Sequence, residues 1–269
     1  MEVAIDELFH TFETAPAGGH AVQICKKDQE LIASVSQFAR QGFLKEEKVL
    51  LIGSQAYLQA IQASLRSEGM DTAQAQTTGW LVLFDAQHLL SQFMIGDMPD
   101  WARFRKSAGT LIEGLQPDKF RVRAWGEMVN ILWRDKNAAA AVKLEEYWNM
   151  LGREFPFFLL CTYLMDPFTD EPMSEGIFKT HSCTFFSPDF SRIEQCIDLA
   201  LKELLGSTAV WIKKVFLEKN KGHLHEIPRV QMLVSWLQRD MPISYKKILG
   251  RAQTLYKTGM PNNFKPAGV

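Results

Sequence analysis

The sequence predicts an α/β protein: a mostly parallel sheet with helices on both faces, followed by a small all-α C-terminal bundle. Strand-like and helix-like segments alternate five times between His20 and Tyr163 with short connections, and parallel strands require such crossovers. Phe157–Tyr163 is a continuous apolar run, the mark of a central strand covered on both faces. After Pro188 only helical spacing remains, and the charge changes with it. Residues 1–189 carry 17 Lys+Arg against 25 Asp+Glu, whereas residues 190–269 carry 13 against 6. Two parts with different surfaces are expected, residues 1–187 and 188–269.

The elements follow in order. Ile5, Leu8, Phe9 and Phe12 mark a helix within residues 1–18, ended by Ala15-Pro-Ala-Gly-Gly19. His20–Cys25 is a short strand. From Asp28, an N-cap, Leu31, Ile32, Val35, Phe38 and Ala39 recur at helical spacing until Gly42. Lys48–Gly53 is the second strand, Tyr57, Leu58, Ile61 and Leu65 the next helical face, and Trp80–Phe84 the third strand. Helices are expected around 86–94 and over 99–115, a strand over 120–125, a helix over 137–151 and a closing strand over 180–186. Beyond Pro188 the sets Ile193/Ile197/Leu201, Val210/Ile212/Val215, Val230/Leu233/Leu237 and Ile243/Ile248/Leu249 make three or four short helices.

With 46% hydrophobic and 23% charged residues in a chain of 269, a proper core is expected. No apolar run approaches the roughly 20 residues that cross a bilayer, and the start MEVAIDELFHTFE is acidic, unlike a leader. The expectation is a cytoplasmic protein with no membrane partner. Cys25, Cys161, Cys183 and Cys196 form no CxxC pair, so no disulfide framework is expected.

The order strand, helix, strand across residues 48–85 is that of nucleotide-binding ATPases, yet the glycine loop that should precede it is missing. A phosphate cradle needs glycines so that several N–H groups converge on the anion, with Lys and Ser/Thr at fixed offsets. The turn after the first strand reads Ile24-Cys-Lys-Lys-Asp-Gln-Glu30 instead.

From about Gly19 to Phe186 the chain resembles a MEDS domain, the sensory domain named for methanogens, methylotrophs and the regulator DcmR. The resemblance rests on His20 with its strand, Phe38–Gly42, Glu47–Leu51, Leu65–Asp71, Gly79-Trp-Leu81 and Phe93 with Trp101. It continues through Arg121-Val-Arg-Ala-Trp-Gly-Glu-Met128, Leu144-Glu-Glu-Tyr-Trp-Asn149, Leu160-Cys-Thr-Tyr163 and Thr180-His181. It implies a RecA/KaiC-like three-layer fold without the phosphate loop, serving as an input module for small organic molecules. Val22 departs from the pattern, since many relatives carry a cysteine two positions after the histidine.

Ligands of open parallel sheets bind beyond the carboxyl ends of the strands. That edge gathers Cys25 and Lys26, then Ser54, Asp85 and Glu127, the last favoured by Gly126 and by the helix that follows. With His20, and with Trp125 and Tyr163 among the aromatics, they make up the expected ligand-binding set. His20 and Cys25, five positions apart, point to opposite faces. His181 and Cys183 share a face and with Cys161 offer imidazole and thiolate, but their neighbours are apolar, so neither a metal site nor a cofactor is expected. No G-x-S-x-G elbow appears, and no catalytic residue is assigned.

The C-terminal lysines 213, 214, 219, 221, 246 and 247, with Arg251, are spread over several helices. That favours a solvated face on a dimerisation or docking bundle over a nucleic-acid surface. The expected function is non-catalytic sensing: a small organic effector or a regulatory protein partner binds at the strand-end crevice, and the C-terminal helices relay it. The rivals are a divergent RecA/KaiC-like ATPase using Asp85 or Glu127 with Mg²⁺, and a DNA-binding regulator.

Overall fold

The apolar runs form the strands β1 (His20–Cys25), β2 (Lys48–Gly53), β3 (Leu81–Asp85), β4 (Val122–Gly126), β5 (Phe158–Leu164) and β6 (Cys183–Phe186). They make one sheet in the order β3-β2-β4-β5-β1-β6. Every pairing from β3 through β1 is parallel, so the α/β class expected from alternation is the class observed. The computed structural model describes residues 18–116, 120–170, 175–220 and 229–259. The helix expected within residues 1–18 falls outside them except for Gly18, as do Lys221, His223 and His225.

The crossovers are α1 (Asp28–Leu44), α2 (Gln55–Ser67), α3 (Thr72–Thr77), α4 (Ala86–Phe93), α5 (Trp101–Phe104 and Thr110–Leu115 around a π-helical Arg105–Gly109), α6 (Met128–Arg134), α7 (Ala138–Glu154) and α8 (Glu175–Lys179). On one face of the sheet Ala21, Leu51, Leu81, Trp125 and Leu160 share a core with Leu31, Val35 and Phe38 of α1 and Leu58, Ile61 and Leu65 of α2. Strand side chains alternate, so His20, Cys161 and Tyr163 lie on the other face, where Glu145 of α7 meets them. Aromatic edges hold the helices there: Phe93 against Phe104 at 5.1 Å, Phe104 against Trp148 at 4.9 Å and Trp148 against Phe157 at 5.9 Å between centroids.

The contacts divide the chain into two compact units. One comprises Met1–Leu164 with Gly176–Phe185, and the other Met165–Glu175 with Phe186–Val269. In the second, α9 (Pro188–Leu205), α10 (Thr208–Asn220), α11 (Arg229–Asp240) and α12 (Pro242–Thr258) bury Ile193, Ile197, Leu201, Phe216, Leu237, Ile248 and Leu255. Lys213 pairs with Asp198, Lys219 with Asp240 and Arg251 with Glu203. Among the described residues no helix is long and apolar enough to cross a membrane.

Several boundaries differ from expectation. The helix expected over 86–94 ends at Phe93 because Met94–Ile95 pairs antiparallel with Met98–Pro99, and Gly96 supplies the positive φ of that turn. The strand expected over 120–125 runs Val122–Gly126. The closing strand is confined to Cys183–Phe186, with α8 just before Thr180. Helices α3 and α8 were not expected, and α6 is the helix anticipated after Glu127.

Arg123 on β4 is 1% exposed; its Nε donates to Glu47 Oε2 at 2.6 Å and its guanidinium lies 4.9 Å from the Phe38 ring centroid. Gly42 gives it room, since a Cβ there would stand 2.7 Å from Val49 and 3.1 Å from Arg123. Replacing Glu47 by Leu strands a buried cation, which typically costs about 3–5 kcal/mol, whereas the paired replacement Glu47→Leu with Arg123→Met restores most of that loss. Urea denaturation followed by circular dichroism checks both.

Candidate functional site

Glu145 is the charged residue of an otherwise apolar stripe on α7, where Ala141, Leu144, Trp148 and Leu151 are all buried. Its carboxylate faces the sheet with its side chain 0% exposed. Four groups from three parts of the chain surround it. Tyr163 donates its hydroxyl to Oε1 at 2.7 Å, and Cys161 donates its thiol to Oε2 at 3.2 Å. His20 Nε2 lies 3.2 Å from Oε2 and His181 Nε2 lies 3.4 Å from Oε1. The two imidazoles stand 4.1 Å apart, centroid to centroid, and His20 Nε2 is 3.3 Å from Cys161 Sγ.

Outer groups fix both rings. The Asn149 amide donates Nδ2–H to the Thr180 carbonyl at 2.7 Å, which turns its oxygen to His20 Nδ1 at 3.1 Å. His181 Nδ1 faces the Ile177 carbonyl at 2.5 Å. Both partners are acceptors, so each Nδ1 carries a proton. His181 Nε2 is buried and, despite its distance to Glu145, makes no hydrogen bond.

The electrostatics follow from burial. Burial opposes ionisation of Glu145, yet the neighbouring His181 and His20 outweigh it and hold the carboxyl far below the usual range. Burial, then the nearby His181, pushes His20 down against the pull of Glu145. Burial and the Glu145 charge push Cys161 and Tyr163 well up, so both keep their protons in this arrangement.

Beside the cluster a cavity of about 150 Å³ is bounded by Gly18, Gly19, His20, Trp148, Asn149, Gly152, Arg153, Phe157 and Leu159. The buried Trp148 indole N–H has no hydrogen-bond partner among the described residues. A Cβ built on Gly152 meets nothing within 4 Å.

The strand-end residues form a separate group. The turn after β1 is two residues long, and the N–H groups of Lys26 and Lys27 both donate to Glu30 Oε2, at 2.9 and 3.1 Å. Ser54 N–H donates to Glu127 Oε2 at 2.6 Å, and Asp85 caps α4 through His88 N–H at 2.7 Å. Trp125 lies against the Gly53 backbone, so close that a Cβ there would be 2.5 Å from its ring. Its indole donates to Thr162 at 3.0 Å. Cys25 is fully buried in the α1-side core.

The expected ligand-binding residues therefore divide. His20 and Tyr163 join the Glu145 cluster, Lys26, Ser54, Asp85 and Glu127 line the strand ends, and Cys25 and Trp125 pack the core. Cys183 does not share the His181 environment, since it packs against the α1-side core, and His181 and Cys161 have polar rather than apolar neighbours. Glu145 and Asn149 were not singled out from sequence. The available signal was a carboxylate on the apolar stripe of a helix.

Residues 19–182 match the family model described as MEDS: MEthanogen/methylotroph, DcmR Sensory domain. The matched stretch begins beside His20 and ends beside His181, and the fragments Leu144–Asn149, Leu160–Tyr163 and Thr180-His181 converge on Glu145. The comparison with curated proteins returned no match. Among solved structures, "Structure of C. elegans PCH-2" aligns over 94% of this chain and 67% of that one, at 10% identity and a TM-score of 0.35, a likeness too slight to bear on function.

Burial raises the Glu127 carboxyl above its ordinary value of 4.5, partly opposed by Ser54. The folded state thus holds this proton more tightly than the unfolded chain, and stability falls as pH rises from about 4.5 through the raised value. Glu127→Gln removes that penalty. Urea midpoints should show the variant at least as stable as the parent at pH 7, with the difference closing as pH falls toward 4.

Proposed function

We propose, on the premise that this chain belongs to the MEDS family of sensory domains, that it is a non-catalytic sensor whose small organic effector enters the cavity beside His20 and Asn149. The observation that carries this reading is the cavity itself, set beside the Glu145 centre and bounded by His20, Trp148 and Asn149. Its volume of about 150 Å³ is that of a site able to take a benzene-sized molecule. His20, Asn149 and Arg153 stand among its lining residues beside Trp148, Phe157 and Leu159, so it offers a small molecule both polar and apolar contacts.

The strand-end crevice supports the reading less well, because its amides already serve internal carboxylates. Lys26 and Lys27 N–H groups hold Glu30, Ser54 N–H holds Glu127, and Trp125 fills the space over Gly53. An incoming phosphate would have to displace them all.

The relay is proposed to begin at His20. Its N–H donates to Ser182 Oγ at 3.2 Å, while its carbonyl accepts from Ser182 Oγ and Ser182 N, both at 2.7 Å. The cavity end of β1 is thus laced to the residue that leads into β6, and from there the chain continues into α9. An effector changes the output only if it binds two arrangements of this lacing with different affinity.

Gly152→Leu fills the cavity from α7 with little strain and exchanges a helix glycine for a better helix former, worth up to about 1 kcal/mol. Ligand-observed NMR with a panel of neutral and amine-bearing molecules of up to about nine heavy atoms should find binders to the parent. The same molecules should lose binding at least tenfold in Gly152→Leu, whose thermal midpoint stays equal or rises. Binding unchanged by the substitution would move the effector elsewhere.

A further inference from the structure

Four groups converge on the Glu145 centre, each turning one ligand atom inward: His20 Nε2, His181 Nε2, Cys161 Sγ and the Glu145 carboxylate lie within 4.8 Å of one another. The Tyr163 hydroxyl and the Cys161 thiol donate to the carboxylate, whereas His181 Nε2 goes without a hydrogen bond. Such a buried group calls for an explanation, and a bound ion is one.

We infer that His20, Glu145, Cys161 and His181 form a binding site for a divalent transition-metal ion of the zinc class. This goes beyond the small-effector reading and does not depend on it. The distances fit: ligand atoms bonded to zinc at 2.0–2.3 Å in a tetrahedron stand roughly 3.3–3.8 Å apart. His20 Nε2, Glu145 Oε2 and Cys161 Sγ form a triangle with edges of 3.2, 3.2 and 3.3 Å; His181 Nε2 stands 3.4 Å from the other carboxylate oxygen, Oε1, and within 4.8 Å of the remaining ligand atoms, so it would draw in on binding.

The outer groups fit as well. Metal-bound histidines hold their second nitrogen on a carbonyl or carboxylate, and here the Asn149 oxygen and the Ile177 carbonyl do so. Tyr163 steadies Oε1 and leaves Oε2 to the ion. Charge balance favours the assignment: a dication with one thiolate, one carboxylate and two neutral imidazoles is neutral, which suits an interior where Glu145 has no exposure. Binding displaces the thiol proton to solvent. The ligand set of two nitrogens, one sulfur and one oxygen excludes Mg²⁺ and Ca²⁺, which take oxygen ligands.

The test strips the full chain with a chelator under reducing conditions and titrates it with Co²⁺. Saturation is expected at one ion per chain, with the ligand-field bands of four-coordinate cobalt and a thiolate-to-cobalt charge-transfer band, all displaced by Zn²⁺. Cys161→Ser should abolish the charge-transfer band and, like Glu145→Gln, weaken Co²⁺ binding at least tenfold. Cys196→Ser and Gly152→Leu should change neither, so failure of the cavity reading remains separate from failure of this one. If the ligand variants do not fold, X-ray absorption on the parent cobalt form decides, with one sulfur at about 2.3 Å expected. No stoichiometric uptake by the parent, a charge-transfer band that survives Cys161→Ser, or a coordination shell without sulfur would overturn the assignment.

Discussion

A carboxylate with no solvent governs the sensory unit. Glu145 sits on the inward stripe of α7 with its side chain fully buried, and an isolated charge there would cost several kcal/mol. The chain avoids that cost by bringing His20, Cys161, Tyr163 and His181 to it from the start of β1, the middle of β5 and the stretch before β6. These groups are up to 161 positions apart. The consequence is register: β1 set one residue along β5 would turn His20 to the opposite face and leave Glu145 unmatched. The parallel pairing of β1 with β5 and the seating of α7 are thus one constraint.

The same economy closes the carboxyl ends of the strands. In a phosphate-binding fold the free amides at these turns wait for an anion. Here each turn has its own: Glu30 takes the amides after β1, Glu127 the amide after β2, and Asp85 the amide at the start of α4. Trp125 then occupies the space over Gly53, with Tyr57 edge-on to it at 6.4 Å. The glycine loop is absent, and internal carboxylates take the amides at these turns.

The fold was legible because its signals are local. Phe157–Tyr163 and Lys48–Gly53 are apolar enough to be central strands on their own, and the switch after Pro188 follows from spacing alone. The small antiparallel pair at 94–99 was hidden because two residues a side carry no periodicity. The strand expected over 180–186 was too long because Thr180 and His181 serve the Glu145 centre rather than a ladder. The site was half legible: His20 and Tyr163 were named, but for a crevice beyond the strand ends rather than for a centre on one face of the sheet. Convergence of residues 20, 145, 161 and 181 is a property of tertiary register, and a helix stripe with one glutamate shows only that something must neutralise it.

The position of His20 joins the two readings of this unit. Its Nε2 faces Glu145 and Cys161, its ring lines the cavity, and its backbone exchanges hydrogen bonds with Ser182. A group that entered the cavity and drew on Asn149 would loosen the acceptor that keeps the His20 proton on Nδ1, and the lone pair at Nε2 would no longer be assured. Any ion or proton held at the centre would feel that change directly, as would the β1–Ser182 lacing one bond away. Coupling of this kind needs no long path, because one imidazole and its own backbone belong to the cavity, the charged centre and the exit toward β6 at once.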